Sequence, residues 1–336
     1  MAHQITINQN GEAEFFCAKH QAWHGLTEPV PQNVTWQEAK RISKLNFIYE
    51  EVPCFHQLPD GRLQKIEGKK VIRRSDTGEV MSVMGSKFRC IQVDELMEFA
   101  DSIVGSGQAV WNSAGSLFGG RRIFANLELE GKLFVNNNPD DTTTKNVMVT
   151  NANDGTGALV IMVAGIRTVC WNTCNANLKS GSENMIKIYH RSGFERRKLD
   201  AQKALGLALA YYDEFQEAMN QLAADQVSSS YVEGFINALI PAEKDADTGK
   251  VAKRTLDRRD QIDTLFRTGK GNNGETKWDL FNAVTEYVDH HSNGRLSKET
   301  KLEGNDEFFK MEQRFDRAIF GTGAVLKQRA MDLLLN

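Results

Sequence analysis

The stretch Val147–Asn177, VMVTNANDGTGALVIMVAGIRTVCWNTCNAN, decides how this chain reads. Two apolar runs flank the tetrad Asn153-Asp154-Gly155-Thr156. An Asp-Gly pair between such runs predicts a β-hairpin, because both turn residues tolerate positive φ. The second run ends at a single cation, Arg167, and enters a polar patch with one aromatic, Trp171. The hairpin is expected to deliver Arg167, Trp171, Asn172 and Asn175 to one edge of a sheet. Such an edge suits recognition but dictates no reaction.

Outward from the hairpin, strands are expected at 109–117, 122–129, 132–136 and 187–189. Upstream, Phe47–Val93 breaks its apolar runs at Pro59-Asp60-Gly61, Glu67-Gly68 and Asp76-Thr77-Gly78, the pattern of an antiparallel meander. Thr35 with Glu38 predicts a capping box for a helix over Trp36–Leu45, and Asp94 is expected to cap Glu95–Val104. Residues 1–34 read as an extended arm. Downstream, Trp171–Leu178 reads as a helix or turn. Phe194–Leu222 is a long helix whose Leu199, Ala204, Leu207, Ala208, Tyr211, Phe215 and Met219 recur near a 3.6 period. Further helices are expected at Ser230–Leu239, Asp257–Phe266, Lys277–His291 and Asp306–Leu335.

Strands that cluster rather than alternate with helices argue for an α+β fold and against a doubly wound one. The expected plan is a β-rich antiparallel N-terminal half with a long helix, followed by a helical C-terminal half. An arm and short helix would occupy 1–46, the β-rich core 47–225 and the helical region 226–336.

With 40% hydrophobic and 25% charged residues over 336 positions, the composition is that of a globular protein. The net charge of −3 announces no polyanionic partner, but the charge is unevenly spread. Residues 62–89 hold eight Lys/Arg against three acids, and residues 160–205 repeat that balance, whereas the first sixty residues hold seven acids against four bases. Five sparsely spaced cysteines argue against a disulfide framework and for a reducing cytoplasm. No signal peptide and no apolar run near 18 residues is evident, so a cytoplasmic protein without a membrane span is expected.

Several constellations invite chemistry. Cys17, His20 and His24, with Cys170 and Cys174, offer metal-ligand types, but the two groups lie far apart and lack zinc spacing, so they read as small buried thiols. Glu286, Asp289, His290 and His291 resemble an acid–base cluster, yet they sit where a helix ends and histidines complement its dipole. Gly115-x3-Gly119-Gly120-Arg121-Arg122 lacks a P-loop ending and reads as a hairpin turn, and Thr268-Gly269-Lys270-Gly271 is likewise incomplete. No cofactor or catalytic centre is expected. Arg121, Arg122, Arg167, Lys187, Arg191, Arg196, Arg197 and Lys198 remain, with Lys179 among them. Beside the rings of Trp111, Trp171 and Phe194 they could line a groove in which cations track phosphates and rings stack on bases. The alternative is a solvated charge face.

Seven motifs carry a resemblance. They are Trp23-His24-Gly25-Leu26, Ala114-Gly115-Ser116-Leu117-Phe118-Gly119-Gly120-Arg121-Arg122, Asn151-Ala152-Asn153-Asp154-Gly155 and Arg167-Thr168-Val169-Cys170-Trp171-Asn172-Thr173. His190-Arg191-Ser192-Gly193, Asn282–His290 and Phe320-Gly321-Thr322-Gly323-Ala324 follow. In this order the chain resembles a family of phage- and plasmid-like proteins catalogued as a domain of unknown function. It departs from that pattern at Thr27, where a second Gly is common, and at Trp171, where Gln is common. The resemblance implies a mobile-element protein and carries over no catalytic residue. It extends distantly to the Red-beta-like single-strand annealing proteins, which implies a basic groove for single strands and assembly into homo-oligomers.

The expectation is therefore a non-enzymatic protein that binds single-stranded DNA for annealing or protection. Arg121, Arg122, Arg167, Lys187, Arg191, Arg196, Arg197 and Lys198 would contact phosphates, and Trp171 would stack a base. A second reading is a counter-defence protein that acts by binding a host protein. A third is a metal-dependent nuclease built on Asp154, Glu286, Asp289 or His290.

Overall fold

The computed structural model describes residues 5–18, 27, 29–167, 173–174, 185–189, 197–242, 249–292, 317–319 and 321–336. The elements in chain order are β1 (Phe15–Cys17), α1 (Trp36–Ile42), β2 (Tyr49–Gln57), β3 (Leu63–Arg74), β4 (Val80–Gly85) and α2 (Val93–Ile103). Then come β5 (Ala109–Leu117), β6 (Arg122–Phe134), β7 (Thr142–Ala152), β8 (Leu159–Arg167), β9 (Thr173–Cys174) and β10 (Met185–Ile188). The helical half comprises α3 (Arg197–Ala224), α4 (Ser229–Leu239), α5 (Lys253–Thr268), α6 (Lys277–Glu286) and α7 (Thr322–Leu335). The fold is α+β.

A seven-stranded sheet has the order β1-β5-β6-β7-β8-β10, with β9 beside β8, and β2-β3-β4 form a separate meander. All pairings between these strands are antiparallel, and short connections join β2 to β3, β3 to β4, β5 to β6, β6 to β7 and β7 to β8. Strand alternation gives the large sheet two apolar faces. Ile123, Ala125, Leu127, Val147, Val149, Leu159, Ile161 and Val163 join one core with residues of α2 and α3, while Met148, Val160, Met162 and Ala164 face the other way.

Helix α3 is the hinge of this packing. Its Ala208, Tyr211, Tyr212, Phe215, Met219 and Leu222 are buried, and Phe215 meets Trp278 of α6 edge-on at 6.4 Å. The Tyr212 hydroxyl enters the β7–β8 ladder: it accepts from Asn146 N–H and lies 2.7 and 2.9 Å from the Asn146 and Ala164 carbonyls. Gln216 then pairs with Phe134 backbone groups, and Asn220 accepts from Asn136 N–H.

The small sheet is fixed to the large one by a buried guanidinium. Arg74, at the end of β3, is 2% exposed, and its Nη2 lies 2.6 Å from Glu14 Oε1 and 2.7 Å from Asp76 Oδ2. Glu14 is 1% exposed and also accepts from the Ser116 hydroxyl. Arg74 donates to the Gly119 carbonyl at 3.0 Å and stacks over Phe47 at 3.8 Å. The β5–β6 turn must therefore come very close. Gly120 has φ +91°, and a Cβ there would stand 2.7 Å from Arg74 Nη1.

Several sequence expectations are corrected. The arm over 1–34 contains β1, whose Phe15 and Phe16 are buried because the strand completes an edge of the large sheet against β5. The first helix stops at Ile42, where the Ser43 hydroxyl turns back onto Ala39 and Lys40 carbonyls and Lys44 takes φ +59°. Gln92, not Asp94, is the N-cap position of α2: its N–H donates to the Glu95 carboxylate at 2.9 Å, while its side chain is turned to Tyr49. The strands expected at 122–129 and 132–136 are one strand with a bulge between Glu128 and Lys132. Within Trp171–Leu178, residues 173–174 form a strand, and the rest lies outside the described residues. The helix expected over Asp306–Leu335 begins, in its described part, with a short turn at 317–319 and restarts after Gly321 as α7.

Candidate nucleic-acid interface

The strand register places the expected phosphate contacts. Arg122 pairs with Ala152 of β7, and Arg167 pairs with Thr143 of the same strand. Nine residues (152 − 143) separate these rungs, about 30 Å at ~3.4 Å per residue. Arg121–Arg122 and Arg167 thus occupy opposite ends of the large sheet. Lys187 pairs with Val160, which pairs with Thr150, so Lys187 belongs to the Arg122 end. Arg122 and Lys187 share the sheet face that points away from α3, three strand spacings across and two residues along, about 16 Å apart.

Helix α3 follows the same axis. Tyr212 sits at the Asn146–Ala164 rung, Gln216 at Phe134 and Asn220 at Asn136, so the helix runs toward the Arg167 end. Its start, Arg197-Lys198, lies about 22 Å back from Tyr212, toward the end that holds Lys187. The side chains of Arg167, Arg197 and Lys198, and the whole of Trp171, Arg191, Arg196, Lys179 and Phe194, lie outside the described residues.

Charge pairing sorts the described cations. Arg121 meets Glu79 at 3.5 Å, a contact in which both partners are about half exposed. Arg122 is half-buried beside Asp154; burial pulls its pKa below the ordinary arginine value and the Asp154 charge partly offsets this. Lys187 is exposed on edge strand β10 and has no ion pair among the described residues. In the meander, Arg62, Lys65, Lys70, Arg73 and Arg74 each meet a carboxylate. Most of that basic segment is thus offset by carboxylates, several of them from outside it. Lys132 and Lys145, which periodicity alone did not mark, flank the Arg167 end through the pairs Lys132–Thr144 and Lys145–Gly165.

Trp111 is withdrawn as a stacking platform. It is fully buried in the core, with its indole N–H donated to Asp101 at 3.2 Å. Several residues of the remaining constellations hold loops and helices in place. Asn153, fully buried, accepts from Ile91 N–H and donates to the Ile91 carbonyl, clamping the segment before α2 to the hairpin loop. Asp154 folds the same loop by accepting from Thr156 at 2.9 and 2.6 Å. Glu286 accepts from Lys270 N–H, and Asp279 gathers the N–H groups of Asn273, Glu275 and Thr276. These carboxylates shape the Thr268–Gly274 loop. Asp289 lies 2.6 Å from Lys327 Nζ, joining the π turn Tyr287–His291 to α7 with both groups buried.

Among the described residues no group of three or more His, Cys, Asp or Glu is placed to hold a metal. Cys17 contacts Thr27, while His20, His24 and Cys170 lie outside the described residues, as does the side chain of Cys174. Burial pushes the Cys90 thiol up to about 12, so it stays protonated at neutral pH and is a poor nucleophile. Among the described residues no helix is long and apolar enough to cross a membrane.

Residues 80–313 match the family described as a domain of unknown function (DUF932), and the chain belongs to that family. No curated protein and no solved structure matches it.

Proposed function

We propose that this DUF932 protein binds single-stranded DNA without catalysis, at the end of the large sheet where β10 leads into α3. One observation carries the reading: exposed Lys187 lies on the edge strand at the same end as the start of α3. The chain between them is short. From Lys187 to Lys198 it holds Lys187, Arg191, Arg196, Arg197 and Lys198 against one acid, Glu195. Five cations so close in sequence repel one another, and Arg197 and Lys198, at the first described positions of α3, oppose the helix dipole, unless an anion compensates. A phosphate backbone supplies that anion. Arg121 and Arg122 extend the surface across the face, and Trp171 is the proposed stacking residue. The link to mobile elements and to annealing rests on the motif resemblance.

Binding should be strongly salt-dependent. With about five phosphates contacted at ~0.7 counterions each, the log–log slope is expected near −3.5. In anisotropy titrations of a fluorescent single-stranded oligonucleotide, Arg196→Ala/Arg197→Ala/Lys198→Ala should flatten the slope by about 2. An unchanged slope and affinity in that variant would refute the placement.

A second reading, a counter-defence protein that docks on a host protein, draws on a different surface. Val52, Val71 and Val83 stand in cross-strand register on the meander, and Val80 and Val83 are about half exposed. Recovery of one stoichiometric host protein without nucleic acid, lost on Val83→Lys, would favour it.

A further inference from the structure

The hairpin β2–β3 is longer than the sheet that supports it. Strand β4 pairs only with Lys69–Arg73, so the distal part, from Phe55 to Lys65, is a ribbon of two strands. Phe55 and Leu63 are 51% and 70% exposed, and they are diagonal neighbours on one face, since Phe55 pairs with Lys65 and Gln57 with Leu63. A two-stranded ribbon without a covered apolar face is marginal in water. Its proximal part is covered: Gln92 bonds both backbone groups of Tyr49, and the Glu51 carboxylate accepts from Cys90 N–H. The distal edge is not, because no described residue pairs with the outer side of residues 55–57.

We propose that this edge pairs with the same edge of a second copy, joining two ribbons into a four-stranded sheet about a two-fold axis. Leu58 N–H points inward to the Arg62 carbonyl, so by the alternation of an antiparallel ladder the backbone groups of Phe55 and Gln57 point outward. An antiparallel strand pair is itself two-fold symmetric. Centred on His56, it sets Phe55 against Gln57 of the second copy and Gln57 against its Phe55, with both N–H groups bonded. Pro53 and Pro59, which lack N–H groups, bound the window on either side. The edge between them, Cys54–Leu58, carries none of the Lys or Glu that guard open edges.

The charges fit a second copy better than a polyanion. On the ribbon Arg62 is held by Asp60 at 2.7 Å and Lys65 by Glu67 at 3.4 Å, so no net positive potential is left to attract phosphate. Two-fold pairing sets no charge against a like charge. It brings the two Phe55 rings within diagonal reach, between the two Leu63 side chains, which accounts for four exposed apolar groups at once.

The test is solution mass by light scattering on the full chain without nucleic acid, over the micromolar range. The wild type should approach twice the chain mass. Gln57→Pro removes two symmetric backbone bonds while leaving the inward ladder intact, and should weaken the dimer about 100-fold. Phe55→Glu should give monomer with an unchanged circular dichroism spectrum. His56→Asp, which faces two carboxylates across the axis, should do the same, and His56→Val should not. A monomeric wild type, or a Gln57→Pro variant that stays dimeric, overturns the proposal. So does a monomeric wild type whose oligonucleotide affinity falls on Phe55→Glu, since the ribbon would then be a nucleic-acid wedge. Because the light-scattering samples lack oligonucleotide, failure of the nucleic-acid reading leaves the expected masses unchanged.

Discussion

Arg74→Met is expected to destabilise the fold by about 3–5 kcal/mol, because it strands the Glu14 carboxylate in the interior without its cation. The loss should appear as a lower urea midpoint at unchanged slope. Pairing the change with Glu14→Gln should recover part of it, since a neutral amide tolerates burial better than an orphaned charge. Acid titration gives an independent sign. The Arg74 guanidinium, by hydrogen bonding first and by charge second, holds the Asp76 carboxyl below the usual carboxylate range. Stability from Asp76 is therefore present above its unfolded pKa, about 3.9, and is lost as pH falls through the lower folded value. In Arg74→Met this part of the acid limb should shrink. An Arg74→Met protein as stable as the wild type would show that the small sheet is held by its apolar contacts alone.

Asn153→Ala should have the next largest effect, about 2–5 kcal/mol. Its side chain satisfies both Ile91 N–H and the Ile91 carbonyl, at 3.1 and 2.8 Å, in a site with no exposure. Removing it leaves two buried backbone groups unpaired at about 1–3 kcal/mol each. Asn153→Asp should not rescue the loss, because a carboxylate can accept from the N–H but meets the carbonyl with like polarity. Thermal melts of the two variants beside the wild type test this. A shift of less than about 2 °C would mean that neighbouring groups or water replace the amide.

The plan of the fold was legible because it rests on local chemistry. Asp154-Gly155 marked the hairpin, Thr35 with Glu38 marked the first capping box, and the Gly-containing breaks after Leu58 and Arg74 marked the meander. Periodicity also exposed α3, since Ala208, Tyr211, Phe215 and Met219 lie on its buried stripe. Long-range register was not legible. Nothing local says that Arg122 and Arg167 stand at opposite ends of a sheet, or that Lys132 and Lys145 flank the second. Partnership was equally hidden. Arg62, Lys65, Lys70 and Arg73 read as a basic run, yet each is met by an acid, Arg73 and Lys70 by residues about twenty positions away. Trp111 offered the same ambiguity, because an indole in an alternating strand reads alike whether it faces water or core. The Asn151–Gly155 and Gly119–Arg122 motifs read as turns, and the long-range ties they make, Asn153 to Ile91 and the Gly119 carbonyl to Arg74, were not legible.

The phenol of Tyr212 seated between two strands has a mechanical corollary. A helix that merely rests on a sheet can slide or lift while each layer keeps its own bonds. Here lifting the helix breaks the bonds that the Tyr212 hydroxyl makes to β7 and β8, and Phe215, less than a turn further along the same helix, packs against Trp278. Sheet and bundle are therefore expected to melt together, and a tug on the leading end of the helix to be felt by both.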